Sequence, residues 1–488
     1  MNFKDIQQAY FLGIGGIGMS AIARYFHSMG ITVMGYDKTE TSLTKELVAE
    51  GIQIHYEDFG SRIGDFGLIR ESCLVVLTPA IPKDHEEWNW LKENDFTILK
   101  RSQVLGVITD VYQTIGVAGT HGKTTTSTLI AHILKQSSVD CAAFLGGISS
   151  NYQTNLLLHK PEVDSRQSPY GSPQLGAAAS SNPKTTNNKL NTETRYMVVE
   201  ADEFDRSFLT LHPFIAIITS TDADHLDIYG EHNELKKSFL AYASQCKDDG
   251  TLIVKKGLDI IADLKRPFFT YSVTEKADAY ASNIKITGDE YSFDLTFGER
   301  VLNNLVLGIP GLHNVENAVA ASAASLLAGV SEDELKAALA SFKGVKRRFE
   351  YIIKRPDFVY IDDYAHHPEE LRAIISSVKN MYPNKKIVAA FQPHLFSRTR
   401  DFVDGFAESL SLLDNVLLLD IYPARELPME GVTSKIIFDK MTSSNKIVCS
   451  KAEAVDLMKQ QQPEVLLTLG AGDIDQLVEP LREQFKSA

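Results

Sequence analysis

Cysteine is scarce in this chain: four in 488 residues, at Cys73, Cys141, Cys246 and Cys449, with no paired spacing. That scatter excludes a disulfide-stapled scaffold and a cysteine-ligated metal ribbon, and fits buried, unbridged thiols in a reducing compartment. Long apolar runs are also missing, since none approaches the ~18 residues of a membrane span. Basic residues are outnumbered, with 49 Lys and Arg against 63 Asp and Glu and a net charge of −14. A general binder of nucleic acid or of an anionic membrane needs the opposite field, so neither is expected as a partner. An anionic substrate must then be held by local donors. The segment Met1 to Tyr10 carries Lys4 and Asp5 and runs into a glycine-broken stretch, unlike a signal peptide. The expectation is a cytoplasmic protein, monomer or homodimer.

What is present is ordinary globular composition, 44% hydrophobic and 23% charged. At about 150 residues per domain the length suits roughly three domains, each able to bury a core without staples. Short apolar runs recur between amphipathic stretches: Ala9 to Leu12, Thr32 to Met34, Leu74 to Leu77, Thr114 to Val117, Phe358 to Asp362, Ile387 to Phe391, Val416 to Asp420 and Val465 to Leu469. Strands alternating with helices in this way predict an α/β chain of parallel, doubly wound sheets. From Pro161 to Arg195 the composition turns to Ser, Asn, Thr, Pro, Gly, Ala and Gln. Such a stretch buries too little apolar surface to offset its ordering entropy, so it reads as a disordered surface insertion.

The strongest chemical signal is Gly116-Val117-Ala118-Gly119-Thr120-His121-Gly122-Lys123-Thr124-Thr125, between an apolar strand and a helical stretch. Glycines there let backbone N–H groups converge on phosphate at a helix N-terminus. Lys123 would reach the β/γ-phosphates and the Thr124 hydroxyl would meet Mg²⁺. The register departs from the common eight-residue form, which wants Gly where Val117 stands; a plain tight turn is the competing reading. Two further strands end in acidic clusters, Met197 to Glu203 and Ile215 to Asp227. In them Glu200 and His225 are candidate metal ligands, and a solvated loop is the alternative. At the N-terminus Gly13-x-Gly15-Gly16-x-Gly18, with Asp37 about 20 residues on, has the form of a dinucleotide fingerprint for any pyrophosphate-bearing nucleotide. A chain with two phosphate sites is expected to bind two phosphorylated molecules. Later clusters, Arg347-Arg348-Phe349-Glu350, Asp362 to Pro368 and Phe391 to Arg400, also sit beside apolar strands, and Arg supplies forked donors for phosphate or carboxylate.

Together with His313-Asn314-Val315-x-Asn317-Ala318, these motifs follow the order found in the Mur ligases, and the chain resembles that family over nearly its whole length. The resemblance implies ATP-dependent amide formation in peptidoglycan precursor synthesis by a three-domain protein. Residues 1–106 would form a Rossmann-like domain for the UDP substrate. Residues 107–346 would form a P-loop ATPase-like domain carrying the insertion, and residues 347–488 a Rossmann-like domain closing on ATP and the amino acid. It implies that Gly15, Gly16, Gly18 and Asp37 hold the UDP moiety. Gly119, Thr120, His121, Gly122, Lys123, Thr124 and Thr125 would hold ATP, with Asn314 at adenine, Arg348 at the phosphates and Asp363 at the ribose. Thr124, Glu200 and His225 would hold Mg²⁺ or Mn²⁺, and His366 and Arg398 would lie at the amino-acid end. Lys123, His225, Arg348 and His366 are the expected catalytic set. Leu395 stands where relatives carry Arg, which throws carboxylate binding onto Arg398.

The branch most resembled adds L-alanine to the lactyl carboxylate of UDP-N-acetylmuramate through an acyl phosphate. Three other readings separate from it: a recycling ligase attaching a murein tripeptide to the same sugar nucleotide, an NAD(P)-dependent oxidoreductase resting on Gly13 to Gly18 alone, and a non-catalytic nucleotide-binding regulator.

Overall fold

The computed structural model describes residues 5–160, 195–223, 226–287, 290–424 and 426–486, with the side chains of 226 and 227 not described. His225 and nearly all of the expected insertion therefore lie outside the described residues.

Three sheets carry the chain. The first has five parallel strands in the order Gln53–His55, Thr32–Tyr36, Gln8–Leu12, Cys73–Leu77, Thr97–Lys100. Its central strand is buried from Ala9 to Leu12, as a strand covered by helices on both faces must be. The second sheet has ten strands, with Gln113–Ala118 paired in parallel to Ile215–Ile218 on one side and Tyr196–Glu200 on the other. Its far edge turns antiparallel through Ala279–Thr287, Glu290–Phe297 and Arg300–Leu307. The third sheet has six strands, all parallel except the edge pair Glu350–Lys354 and Val359–Asp363.

In the first two sheets the strand order reverses at one strand, Gln8–Leu12 and Gln113–Ala118, and each leads straight into its glycine loop. A cleft opens at the carboxyl ends of strands at such a reversal, which is why both loops face a site. Helix Arg101–Thr109 spans positions 106 and 107, where the sequence reading drew its first border. The four cysteines are free and buried. Among the described residues no helix is long and apolar enough to cross a membrane.

Two polar clusters hold the helices that follow the glycine loops. Arg24, on the helix Ile17–Ser28 that follows the first loop, donates to Asn155 Oδ1 at 2.6 Å, and Asn155 Nδ2 donates back to Ile17 O at 2.6 Å. That ties the first loop's helix to the second sheet. Behind the second loop, helix Lys123–Gln136 packs on Glu332–Ser341, where His132 Nε2 lies 3.1 Å from Ala338 O and Nδ1 lies 3.0 Å from Tyr152 OH. Burial pushes the His132 imidazole down to about 4. The unfolded chain therefore binds this proton first, and the stability His132 contributes is complete above its ordinary 6.5 and lost as pH falls toward 4. The loss amounts to about 3 kcal/mol at most. Urea unfolding at about pH 7 and about pH 4.5 checks it: the advantage of wild type over His132→Gln is expected to shrink by that order on acidification.

Candidate active site

The phosphate loop needs glycine at two places. Gly119 has φ +137° and Gly122 φ +82°, and a Cβ on Gly119 would meet Thr219 Oγ1 and the Ser220 backbone nitrogen. Those two residues, at the carboxyl end of the neighbouring strand, brace the loop: Ser220 Oγ accepts from His121 N at 2.7 Å and lies 2.9 Å from Thr120 Oγ1, while Thr219 Oγ1 donates to Ala118 O at 3.1 Å. Gly119→Ala is thus expected to abolish detectable ATP binding by calorimetry, although every side chain aimed at the nucleotide is kept. ATP affinity unchanged from wild type would contradict this loop geometry.

Lys123 opens the following helix and is held from both sides. Its Nζ donates to Gly119 O at 2.7 Å and lies 2.7 Å from Glu203 Oε2 and 2.9 Å from Oε1. Burial works against the ammonium, but Glu203, Asp202 and Glu200 outweigh it and raise its pKa, so the charge is secure. Glu200 behaves oppositely: burial lifts its carboxyl above the usual range despite Lys123, the Thr124 hydroxyl and Arg348. Its Oε2 is buried without a hydrogen-bond partner. An orphaned carboxylate oxygen beside a threonine hydroxyl and a phosphate loop is a donor set for a hard divalent cation, so Thr124 and Glu200 fit Mg²⁺.

The third sheet closes the cleft. Left-handed Arg347 (φ +60°) and Phe349 (φ +50°) flank Arg348. Its guanidinium lies over the Tyr364 ring at 5.2 Å and 3.5 Å from Glu370 Oε1. Burial opposes the Arg348 charge, and Glu370 and Asp363 more than restore it. Asp363 accepts from Phe349 N at 2.7 Å and Ala365 N at 2.8 Å; burial still pushes its carboxyl up to about 6. Asn314, on helix Leu312–Leu327, is buried and donates to Pro310 O at 2.5 Å.

Glu370 is one residue that sequence reasoning missed. Its Oε1 lies 3.5 Å from His121 Nδ1 and its Oε2 accepts from His366 N at 3.0 Å, so one buried carboxylate links the phosphate loop to the third sheet's side of the cleft. Burial alone would raise its pKa, yet His366, His121 and Arg348 hold it well below the carboxylate range. The i to i+4 spacing from His366 was the available signal, but nothing in the sequence joins it to residue 121.

A cavity of about 660 Å³ is lined by Thr120 to Thr125, Glu200, Asn314, Arg348, Asp363, His366 and Glu370. A second, of about 450 Å³, is lined by Gly16, Gly18, Met19, Thr78, Arg101 and Ser207, among others, and shares Glu200, Asp202 and Phe204 with the first. Arg101 was not singled out from sequence; it lies 3.7 Å from Asp202 and crowds Gly18, where a Cβ would come 2.8 Å from its guanidinium. Gly15 and Asp37 stand behind the second cavity rather than in its lining. The Asp37 carboxylate accepts from Gly15 N at 2.7 Å and Thr39 N at 3.2 Å, bracing the glycine turn. Arg398 is buried on helix Phe396–Asp401 and lines neither cavity. His394, four residues before it, brings its ring within 6.0 Å of His366.

A glycine loop with a buried lysine at the carboxyl end of a parallel sheet, beside a cavity that the third sheet's residues also line, defines a nucleotide-binding α/β protein, and the chain belongs to the Mur ligase family. Residues 8–113 match the Mur ligase family catalytic domain, 117–325 the Mur ligase middle domain and 347–472 the Mur ligase glutamate ligase domain. The chain is 47% identical over 485 residues to the UDP-N-acetylmuramate–L-alanine ligase of Parabacteroides distasonis, covering 99% of this chain and 98% of that protein. It is 46% identical over 483 residues, 99% of this chain and 98% of the relative, to the enzyme of the same name from Christiangramia forsetii. The crystal structure of the UDP-N-acetylmuramate–alanine ligase of Thermotoga maritima superposes with a TM-score of 0.79 at 26% identity, covering 98% of this chain and 99% of that one. A murein peptide ligase from Psychrobacter arcticus shares the fold with a TM-score of 0.66 at 23% identity, covering 99% of each chain.

Proposed function

We propose that this chain joins the amine of L-alanine to the lactyl carboxylate of UDP-N-acetylmuramate, driven by ATP cleavage to ADP and phosphate. The observation that carries the reading is the junction of the two cavities at Glu200, Asp202 and Phe204, where a carboxylate held in one can meet a phosphate held in the other. In this reading residues 1–106 carry the sugar nucleotide on the turn of Gly15, Gly16, Gly18 and Asp37. Residues 107–346 carry ATP on Gly119 to Thr125, with Asn314 at the base. Residues 347–488 bring Asp363 to the ribose, Arg348 to the phosphates, and His366 and Arg398 to the amino-acid end.

A carboxylate does not condense with an amine in water at a useful rate, because oxide is a poor leaving group. The carboxylate oxygen therefore attacks the γ-phosphorus, ADP leaves, and an acyl phosphate forms. The neutral amine of alanine then attacks the acyl carbon, and the tetrahedral intermediate expels phosphate with one carboxylate oxygen. Both steps gather negative charge, which Lys123 and Arg348 are placed to stabilise without reorganising. Mg²⁺, held by Thr124 and Glu200 with His225 as the remaining proposed ligand, would neutralise phosphate charge when bound. Closure of the third module, latched through Glu370, would keep water from the acyl phosphate.

The test is phosphate release with ATP, UDP-N-acetylmuramate and each acceptor in turn: L-alanine, glycine, L-serine and a murein tripeptide. Release is expected with L-alanine. Release with the tripeptide alone would assign the chain to recycling, and release without any acceptor would remove the ligase reading.

A further inference from the structure

Away from both cavities, the loop after strand Gln53–His55 and the start of helix Glu86–Glu93 bring Asp58, His85 and Glu87 together. One ligand atom from each lies within 4.8 Å of the other two. His85 is 7% exposed and Glu87 is fully buried. Both ring nitrogens of His85 lack a hydrogen-bond partner, and Nδ1 faces Asp58 Oδ2 at 3.5 Å. A buried imidazole with neither nitrogen satisfied is uncommon, and here it is aimed at two carboxylates.

We propose that Asp58, His85 and Glu87 bind a divalent first-row transition cation of the zinc class. Neutral imidazole with two carboxylates is a zinc-type donor set, whereas Mg²⁺ and Ca²⁺ favour oxygen alone. Three atoms no more than 4.8 Å apart have a point within about 2.8 Å of each (4.8/√3), so small side-chain movements reach the ~2.0–2.2 Å of zinc bonds. The carboxylates are already oriented. Asp58 accepts from Glu86 N at 2.8 Å and Glu87 N at 3.1 Å; Glu87 accepts from Phe59 N and Tyr10 OH, both at 2.8 Å. Gly60 N also donates to Asp58 Oδ1 at 3.2 Å, so that oxygen is taken up by the backbone, while Oδ2, which faces His85, accepts only from Glu86 N; outer hydrogen bonds of this kind hold metal ligands in place. Burial raises the Glu87 pKa against the hydrogen bonds from Phe59 and Tyr10, and a cation would favour the charged carboxylate. The ion would clamp the loop at Asp58 to the helix at Glu87, on the sheet whose central strand carries the first glycine turn.

The full-length protein, stripped with a chelator and then exposed to Zn²⁺, tests this. Wild type is expected to retain about one equivalent more zinc than His85→Gln or Glu87→Gln, and Zn²⁺ should raise its melting temperature but not theirs. Zinc held at the phosphate loop would be common to all three proteins, so the difference isolates this cluster. Co²⁺ loading of wild type adds a readout that needs no variant: intense visible d–d bands of low coordination are expected. Equal zinc and equal melting response in wild type and variants, or only the weak bands of hexaaqua-like Co²⁺, would overturn the proposal.

Discussion

Replacing Lys123 with Met is expected to lower alanine-dependent phosphate release by about 10³-fold while leaving UDP-N-acetylmuramate affinity essentially intact. The ammonium sits against the glycine loop at Gly119 O, and the sugar nucleotide is assigned to the cavity across Glu200. The substitution carries a second effect that must be separated from the first. Lys123 neutralises Glu203, whose side chain is fully buried at 2.7 Å from Nζ. Removing one member of a buried ion pair costs about 3–5 kcal/mol, so Lys123→Met alone should also melt earlier. Lys123→Met combined with Glu203→Gln removes both charges and is expected to regain the lost stability without regaining activity. Calorimetry with the sugar nucleotide and thermal melting read the two effects apart. Equal loss of sugar-nucleotide binding and turnover in the stable double variant would contradict separate sites.

Arg348→Lys is expected to reduce kcat by about 10²-fold although the charge is retained. The left-handed residues on either side, Arg347 and Phe349, present the guanidinium to the cleft, and the Tyr364 ring and Glu370 fix its plane. Lysine offers a point charge on a flexible stem and cannot span two phosphate oxygens in that plane. Steady-state kinetics with ATP varied would check this. Near wild-type kcat in Arg348→Lys would mean that charge alone suffices and that the fork plays no part.

The contrast between Lys123 and Glu370 explains how much the sequence could disclose. A phosphate loop is made by consecutive residues, because convergent N–H groups, left-handed glycines and a helix start must follow one another along the chain; Gly119 to Thr125 was therefore legible as written. The alternation of apolar runs with amphipathic helices likewise announced the parallel cores of the sheets, since strands buried on both faces have no polar positions to disguise them. The antiparallel strands at the edges of the second and third sheets, alternately buried and partly exposed in Glu290–Phe297, depart from the all-parallel expectation. Glu370 and Arg101 act across modules and the Thr219–Ser220 brace across the central sheet, and their partners at residues 121, 202 and 118 to 121 come close only in the fold. Asp37 was legible in position but not in detail, as its carboxylate is turned onto Gly15 N and Thr39 N. The cluster of Asp58, His85 and Glu87 draws on a loop and a helix start with no spacing to flag it. His225 and residues 161–194 lie outside the described residues, so their expected roles were not met by any geometry.

The central claim is that ATP phosphorylates the substrate's carboxylate before the amine arrives, and isotope transfer tests it most directly. UDP-N-acetylmuramate labelled with oxygen-18 in its lactyl carboxylate is turned over with ATP and L-alanine, and the released phosphate is analysed by mass spectrometry. The account predicts one labelled oxygen in each phosphate. Phosphate carrying no label would show that ATP is cleaved by water and that the two cavities do not exchange a phosphoryl group.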